Sequence, residues 1–273
     1  VTGAASGFGL ETTKHLLERG DNVVATDIKL DGLADLKSKF STDRLLVQKL
    51  DVKSNQDIAD AFDAGIKNFG KLDVVFSNAG YGVASELEGL PEDLARSLFD
   101  VNFWGSTAVG RAGVKYFRES GNGGRVLFTS SMLGIMTFPI VGIYNSAKHA
   151  LEGYVQTLAS ELDPKWNIKL TLIEPAIFRT GAVVNTIPVP IIPAYDRPDV
   201  PSAAIRQLMS NPNIGNDPAK GAKQIVRVAE LEQPPLRLAL GKDALAMIEA
   251  QLTGVLAGLK EYASWSDDLE FDA

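Results

Sequence analysis

An α/β fold is what this sequence predicts, a doubly wound parallel sheet of about seven strands with helices on both faces. Short, nearly continuous apolar runs alternate from end to end with stretches of helical period, which is the pattern of strands buried on both sides. The 273 residues are 45% hydrophobic, 22% charged and 8% aromatic, which excludes a disordered, collagen-like or wholly coiled-coil chain. No repeat, low-complexity tract or linker divides the chain, so one domain over residues 1–273 is expected, with a single long excursion at 181–218.

The elements follow in order. A glycine cluster at Thr2–Gly9 runs into a helical pattern that begins at Leu10. Val23–Ala25, after the turn residues Gly20, Asp21 and Asn22, reads as a buried strand, and Leu45–Leu50 and Leu72–Phe76 read the same way. Between those two, Ile58, Phe62, Ile66 and Phe69 recur at four, four and three residues, one face of a helix. Ala95–Phe117 is helical, Val126–Phe128 a strand. Tyr144, Lys148, Leu151, Val155, Leu158 and Leu162 mark a helix of about five turns. Leu170–Ile173 and Leu236–Leu240 complete the strands. Residues 181–218 hold seven prolines, from Pro188 to Pro218, so a long loop serving as a substrate lid is expected there.

Charge and composition remove several function classes. Lys+Arg 27 against Asp+Glu 34 gives a net charge of −7. No basic cluster is present, so no nucleic-acid partner is expected. Cys is 0 and His 2, which excludes disulfides, a thiol nucleophile and a Cys/His metal site. His15 and His149 have no metal-ligand companions and are read as packing or surface residues. No apolar run approaches the ~20 residues of a membrane span, and a cytoplasmic protein is expected. The acidic end from Asp267 to Asp272 reads as a solvated tail. The sequence opens at Val1 without Met, and residues upstream of it are expected.

Gly3, Ser6, Gly7, Phe8 and Gly9 form a loop whose backbone could approach a pyrophosphate, with a helix N-terminus behind it. Asp27 ends the next strand about 20 residues later, where a carboxylate can hold both hydroxyls of an adenosine ribose; otherwise it is a turn residue. Asp51 and Val52 could bracket an adenine ring, or Asp51 could serve the helix that starts near Ser54. Asn78, Ala79 and Gly80 suit a backbone laid against a flat ring, or a tight turn.

Tyr144 and Lys148 lie four apart and so share one helix face. Ser131 follows the strand ending near Thr129, and Asn102 sits in a helical segment that it suits poorly, either tolerated there or using a local kink. Taken together, Thr2-Gly3-x-x-x-Gly7-x-Gly9, Asp27, Asn78-Ala79-Gly80, Asn102, Ser131 and Tyr144-x-x-x-Lys148 resemble the short-chain dehydrogenase/reductase family, in its order and spacing over essentially the whole chain. That resemblance implies a Rossmann-type dinucleotide site. It implies Tyr144 as general acid/base, Ser131 as holder of the substrate oxygen, Lys148 as holder of the nicotinamide ribose, and Asn102 as anchor of a relay water. Lys148⁺ and an oxidised nicotinamide would lower the Tyr144 pKa from about 10 by ~2–3 units, or ~3–4 kcal/mol. Pro175, Ile177 and Thr180 would meet the carboxamide. Three features depart from the family pattern: a first strand reduced to Val1, Ser77 in place of an Asn, and Ala176 in place of a Gly.

The cofactor expected is NAD rather than NADP, because Asp27 would repel a 2′-phosphate, Ile28 is not the Arg of many NADP users, and Ser6 is not basic; Lys29 works the other way. Tyr81, Met132, Leu133, Phe138, Ile187 and Tyr195, with lid residues such as Val183 and Val184, are expected to line a pocket for an apolar ketone or secondary alcohol. Pro234–Leu238 and Gly241–Ala244 are similar to a hydroxysteroid-dehydrogenase-like subset. The leading reading is hydride transfer between nicotinamide and such a substrate. An isomerase or lyase that retains its nicotinamide is the second, and a silent dinucleotide-binding regulator the third. A homodimer or homotetramer is expected by resemblance, through Val109, Ala112, Ala150 and Val155. Trp104, Phe117 and Trp166 are read as packing residues.

Overall fold

The computed structural model describes residues 1–180, 186–211 and 213–271. Strands β1 (Val23–Asp27) and β2 (Leu45–Lys49) pair in parallel, and so do β3 (Val74–Ser77), β5 (Gly124–Thr129), β6 (Ile168–Pro175) and β8 (Arg237–Leu240), in the order β3-β5-β6-β8. Val1 and Thr2 stitch the two groups together. Thr2 N–H donates to Phe76 and Thr26 N–H to Val1. The result is one doubly wound surface in the order β2-β1-(Val1, Thr2)-β3-β5-β6-β8, matching the expected class. A pair that the sequence does not announce, β4 (Val83–Ala84) with β7 (Ile187–Pro188), lies above it.

The helices that clothe this sheet start and stop where local chemistry allows. Helix α1 (Gly7–Arg19) ends on Gly20 at φ 102°, a left-handed stop open to glycine. Helix α2 is Ala34–Lys39. Helix α3 (Asn55–Phe69) is capped by Ser54, whose hydroxyl accepts the Asp57 N–H. Helices α4 (Glu92–Phe99) and α5 (Ser106–Ser120) are joined by a π-helical turn over Asp100–Gly105. Helix α6 spans Gly142–Glu161.

Val109 and Val155, expected as contacts between subunits, are instead 1% and 0% exposed and pack with Phe128 and Leu172 in the main core. Periodicity placed them on an apolar stripe, and that stripe faces the sheet. Phe117 is fully buried, Trp166 partly so, while Trp104 is 55% exposed and is not a packing residue of the core.

The excursion is also more regular than a proline count suggests. Val183, Val184 and Pro212 lie outside the described residues, as does Asp272 of the tail. Pro201 opens helix α7 (Pro201–Met209) and Pro218 opens α8 (Pro218–Ala229), each in the first turn, where a missing N–H costs no helical bond. Helix α9 (Lys242–Glu261) leaves the body after its first two turns. Among the described residues, no helix is long and apolar enough to cross a membrane.

Candidate active site

Strands β1, β3, β5 and β6 deliver their C-terminal ends to one cavity of about 540 Å³, the place where open α/β sheets bind ligands. At one end is the glycine loop. Gly3 and Gly7 have φ of 65° and 51°. A side chain at Gly9 would sit 2.1 Å from the Gly3 carbonyl oxygen, so the loop closes only around glycine. Ser6 starts α1 without bonding its side chain to the helix, which leaves N–H groups and the positive dipole end facing the cavity. That arrangement fits a pyrophosphate.

Asp27, at the end of β1, grips the loop. Its two carboxylate oxygens accept the N–H groups of Ala5 (3.0 Å) and Lys29 (3.1 Å). It lines the cavity beside Ile28, Asp51 and Val52. Asp51 accepts the Lys53 N–H at 3.0 Å, so it is a turn residue that also faces the cavity. Asn78 ties the loop to the sheet: its amide donates to the Thr2 carbonyl at 3.0 Å and accepts the Thr129 hydroxyl at 3.0 Å. Ala79 and Gly80 follow along the same wall. Phe8 faces the cavity and packs on Phe178, with ring centroids 4.8 Å apart.

The other end holds the polar cluster. Helix α6 presents Tyr144 and Lys148 on one face, Lys148 buried and Tyr144 partly so. The Lys148 ammonium donates to the Thr129 carbonyl at 2.7 Å and lies 5.4 Å from the Tyr144 ring centroid. Burial pushes the Tyr144 hydroxyl up to about 12, against the Ser131 hydrogen bond, which draws it down. Sequence reasoning put this value below 10 through Lys148⁺ and a nicotinamide; in the chain itself desolvation outweighs its polar neighbours. Burial likewise holds Lys148 down to about 8, with the charge of Glu152 pulling it up. Ser131 caps the short turn Met132–Gly134 by accepting the Leu133 N–H.

Asn102 lies in the π turn, fully buried. Its amide donates to the Tyr81 carbonyl at 2.8 Å while its oxygen accepts the Tyr81 N–H at 3.0 Å. The helical misfit read from the sequence is a local π-helical kink, and its Asn102 clamps the loop after Gly80.

Pro175, Ile177 and Thr180 line the cavity where β6 ends, as do Tyr81, Met132, Leu133 and Phe138. Asn216 holds this corner by donating its backbone and amide N–H to the Ile177 carbonyl, at 2.9 and 3.0 Å. Ile187 and Tyr195 do not line the cavity. Ile187 is spent on the β4–β7 pairing, and the Tyr195 hydroxyl reaches outward to Glu88 at 2.8 Å. Thr186, Ile205, Leu208, Met209 and Ile214 stand there instead. Their signal was the i, i+3, i+4 apolar spacing of Ile205, Leu208 and Met209, hidden among prolines. Arg206 bonds Glu86 and so anchors α7 over the cavity.

A family model for short chain dehydrogenases matches residues 1–188. The chain belongs to the short-chain dehydrogenase family. An uncharacterized oxidoreductase of Schizosaccharomyces pombe is 35% identical over 254 residues, 92% of this chain and 84% of that protein. A 3-ketodihydrosphingosine reductase of Bacteroides thetaiotaomicron is 30% identical over 264 residues, covering 96% and 94%. The crystal structure of a short-chain dehydrogenase from Streptomyces avermitilis superposes with a TM-score of 0.87 at 32% identity, over 99% of this chain and 98% of that one. This short-chain dehydrogenase is thus an oxidoreductase with a nucleotide-binding Rossmann fold.

Proposed function

We propose that the protein moves a hydride between NAD(H) and an apolar ketone or secondary alcohol, with Tyr144 as general acid/base. The observation that carries this reading is the meeting, in one cavity, of an uncapped glycine-loop helix with Tyr144, Lys148 and Ser131. The dinucleotide, when bound, supplies the hydride chemistry. The chain's own residues do the rest. Ser131 donates toward the substrate oxygen, Tyr144 gives or takes the proton there, and Lys148 favours the phenolate by its charge. Lys148 and Asn78 sit where the nicotinamide end would be held, and Asp27 where the adenosine ribose would be. In this reading Asn102 acts through the Tyr81 backbone and orders the relay path beside it. Met132, Leu133, Phe138, Ile205 and Met209 make the far wall apolar, and the similar 3-ketodihydrosphingosine reductase is named for a keto substrate. The segment after residue 186 serves as the lid of one catalytic unit, and a cytoplasmic dimer or tetramer completes the reading. Incubation of the enzyme with NADH and a panel of apolar ketones tests it: cofactor should be consumed in step with alcohol formed. Isomerised or cleaved product without net NADH consumption would instead favour an isomerase or lyase.

A further inference from the structure

Helix α9 carries an apolar seam that the body of the protein does not cover. Leu245, Ile248, Leu252, Val255, Leu259 and Tyr262 recur at alternating spacings of three and four residues, the a and d positions of a heptad. In a core-facing helix such residues are buried. Here Leu245 is 57% exposed, Leu252 48%, Val255 49%, Leu259 65% and Tyr262 53%. Only Ala244 of this helix is buried, and Met247 and Ile248 pack in part against the body. The helix is therefore held by its first two turns, and about 20 Å of length beyond them, at 1.5 Å per residue, carries the rest of the seam.

We propose that α9 is a dimerisation arm whose seam pairs antiparallel with the same seam of a second copy. Three observations favour that occupant. The register is self-complementary: with Leu252 set against the partner's Val255, Ile248 meets the partner's Leu259 and Leu245 meets the partner's Tyr262. Every a position then faces a d position. The area suffices, because five side chains exposing ~100 Å² each give on the order of 1,000 Å² in a dimer, the lower end of specific interfaces. The charge disfavours the other apolar occupant, a lipid surface. Interfacial helices draw on Lys and Arg, whereas this helix has Lys242 and Lys260 against Asp243, Glu249 and Glu261, followed by Asp267, Asp268 and Glu270. This arm is separate from α5 and α6, and the inference does not depend on the catalytic reading.

Because the chain has no Cys, introduced thiols report cleanly. A chain with Leu252→Cys mixed with one carrying Val255→Cys should form a disulfide-linked heterodimer under mild oxidation, and neither alone should cross-link as fast. The double variant Leu252→Glu/Leu259→Glu should halve the molar mass seen by light scattering while its melting midpoint stays that of the wild type. Equal mass in wild type and double variant would overturn the proposal. So would cross-linking by the single variants alone, which signals parallel helices. Wild-type chain that sediments with phosphatidylcholine vesicles, with this lost in the double variant at unchanged solution mass, would assign the seam to lipid and overturn the pairing.

Discussion

Glu152 and Glu174 are brought together beneath the active site and share one cation. Arg237 reaches Glu152 at 3.1 Å and Glu174 at 3.3 Å, and both carboxyl side chains are 3% exposed. Glu152 lies one turn past Lys148 on α6 and abuts Ser130, the neighbour of Ser131. Removing the cation leaves two buried carboxyls without it, and breaking a buried pair costs ~3–5 kcal/mol. The guanidinium is 36% exposed, which lets water make up part of the loss. Arg237→Met is therefore expected to lower stability by ~2–3 kcal/mol, read from urea midpoints at pH 7. A change under ~0.5 kcal/mol would show that Arg237 is merely a surface charge.

Burial, with the charge of Glu152 beside it, raises Glu174 from 4.5 to about 7. The folded chain then holds a proton between pH 4.5 and about 7 that the unfolded chain has released. Stability from this group is complete below pH 4.5 and is lost as pH rises through about 7. The loss should amount to ~3 kcal/mol at most, by 1.36 kcal/mol per unit. Glu174→Gln should flatten that part of the profile. Melting midpoints at pH 5 and pH 8 decide it: an equal drop in wild type and variant would place the titration elsewhere.

Tyr144→Phe should cut turnover by ~10²–10⁴, the range that general acid/base groups supply, and leave dinucleotide affinity near wild type. The Ser131 hydrogen bond is lost, but the ring still fills its place against Lys148. Residual turnover within about tenfold of wild type would remove Tyr144 from that role.

Lys148→Ala should harm rate and dinucleotide affinity together. It deletes the ammonium that donates to Thr129 at 2.7 Å and lies 5.4 Å from the Tyr144 ring centroid. Stopped-flow binding beside steady-state turnover separates the two effects; unchanged affinity would confine Lys148 to proton chemistry.

The parts of this site that the sequence exposes are those written in short spacings. Gly3, Gly7 and Gly9 before a helix, and Tyr144 one turn from Lys148, need only local geometry to be read. Arg237, Glu152 and Glu174 could not be read, because two strands and a helix lying far apart in sequence bring them together. Val109 and Val155 show the converse: a helix has two candidate apolar neighbours, sheet or subunit, and periodicity does not choose between them. The cavity-lining helix at Pro201–Met209 was hidden by its proline, which marks a helix start as readily as a break.

In the proposed reading, cofactor choice rests on Asp27. Its carboxylate faces the adenosine end of the cavity while accepting N–H groups from Ala5 and Lys29, so it is held in place and each oxygen keeps a lone pair for a ribose hydroxyl. A 2′-phosphate brings about −1.5 to −2 charge against it. Unit charges ~4 Å apart at an effective dielectric of 20 repel by ~4 kcal/mol, of which solvent exposure should leave ~1–3 kcal/mol. Ile28 is 53% exposed beside it and offers no cation, while Lys29 could offer one. NADH is therefore expected to exceed NADPH at least about tenfold in kcat/KM, since 1.36 kcal/mol is tenfold. Asp27→Ala with Ile28→Arg should narrow or reverse that ratio. It should also weaken NADH itself, because the Ala5 N–H loses its acceptor and the glycine loop loosens. Wild-type enzyme that prefers NADPH would mean that Asp27 serves the loop alone and that Lys29 reads the phosphate.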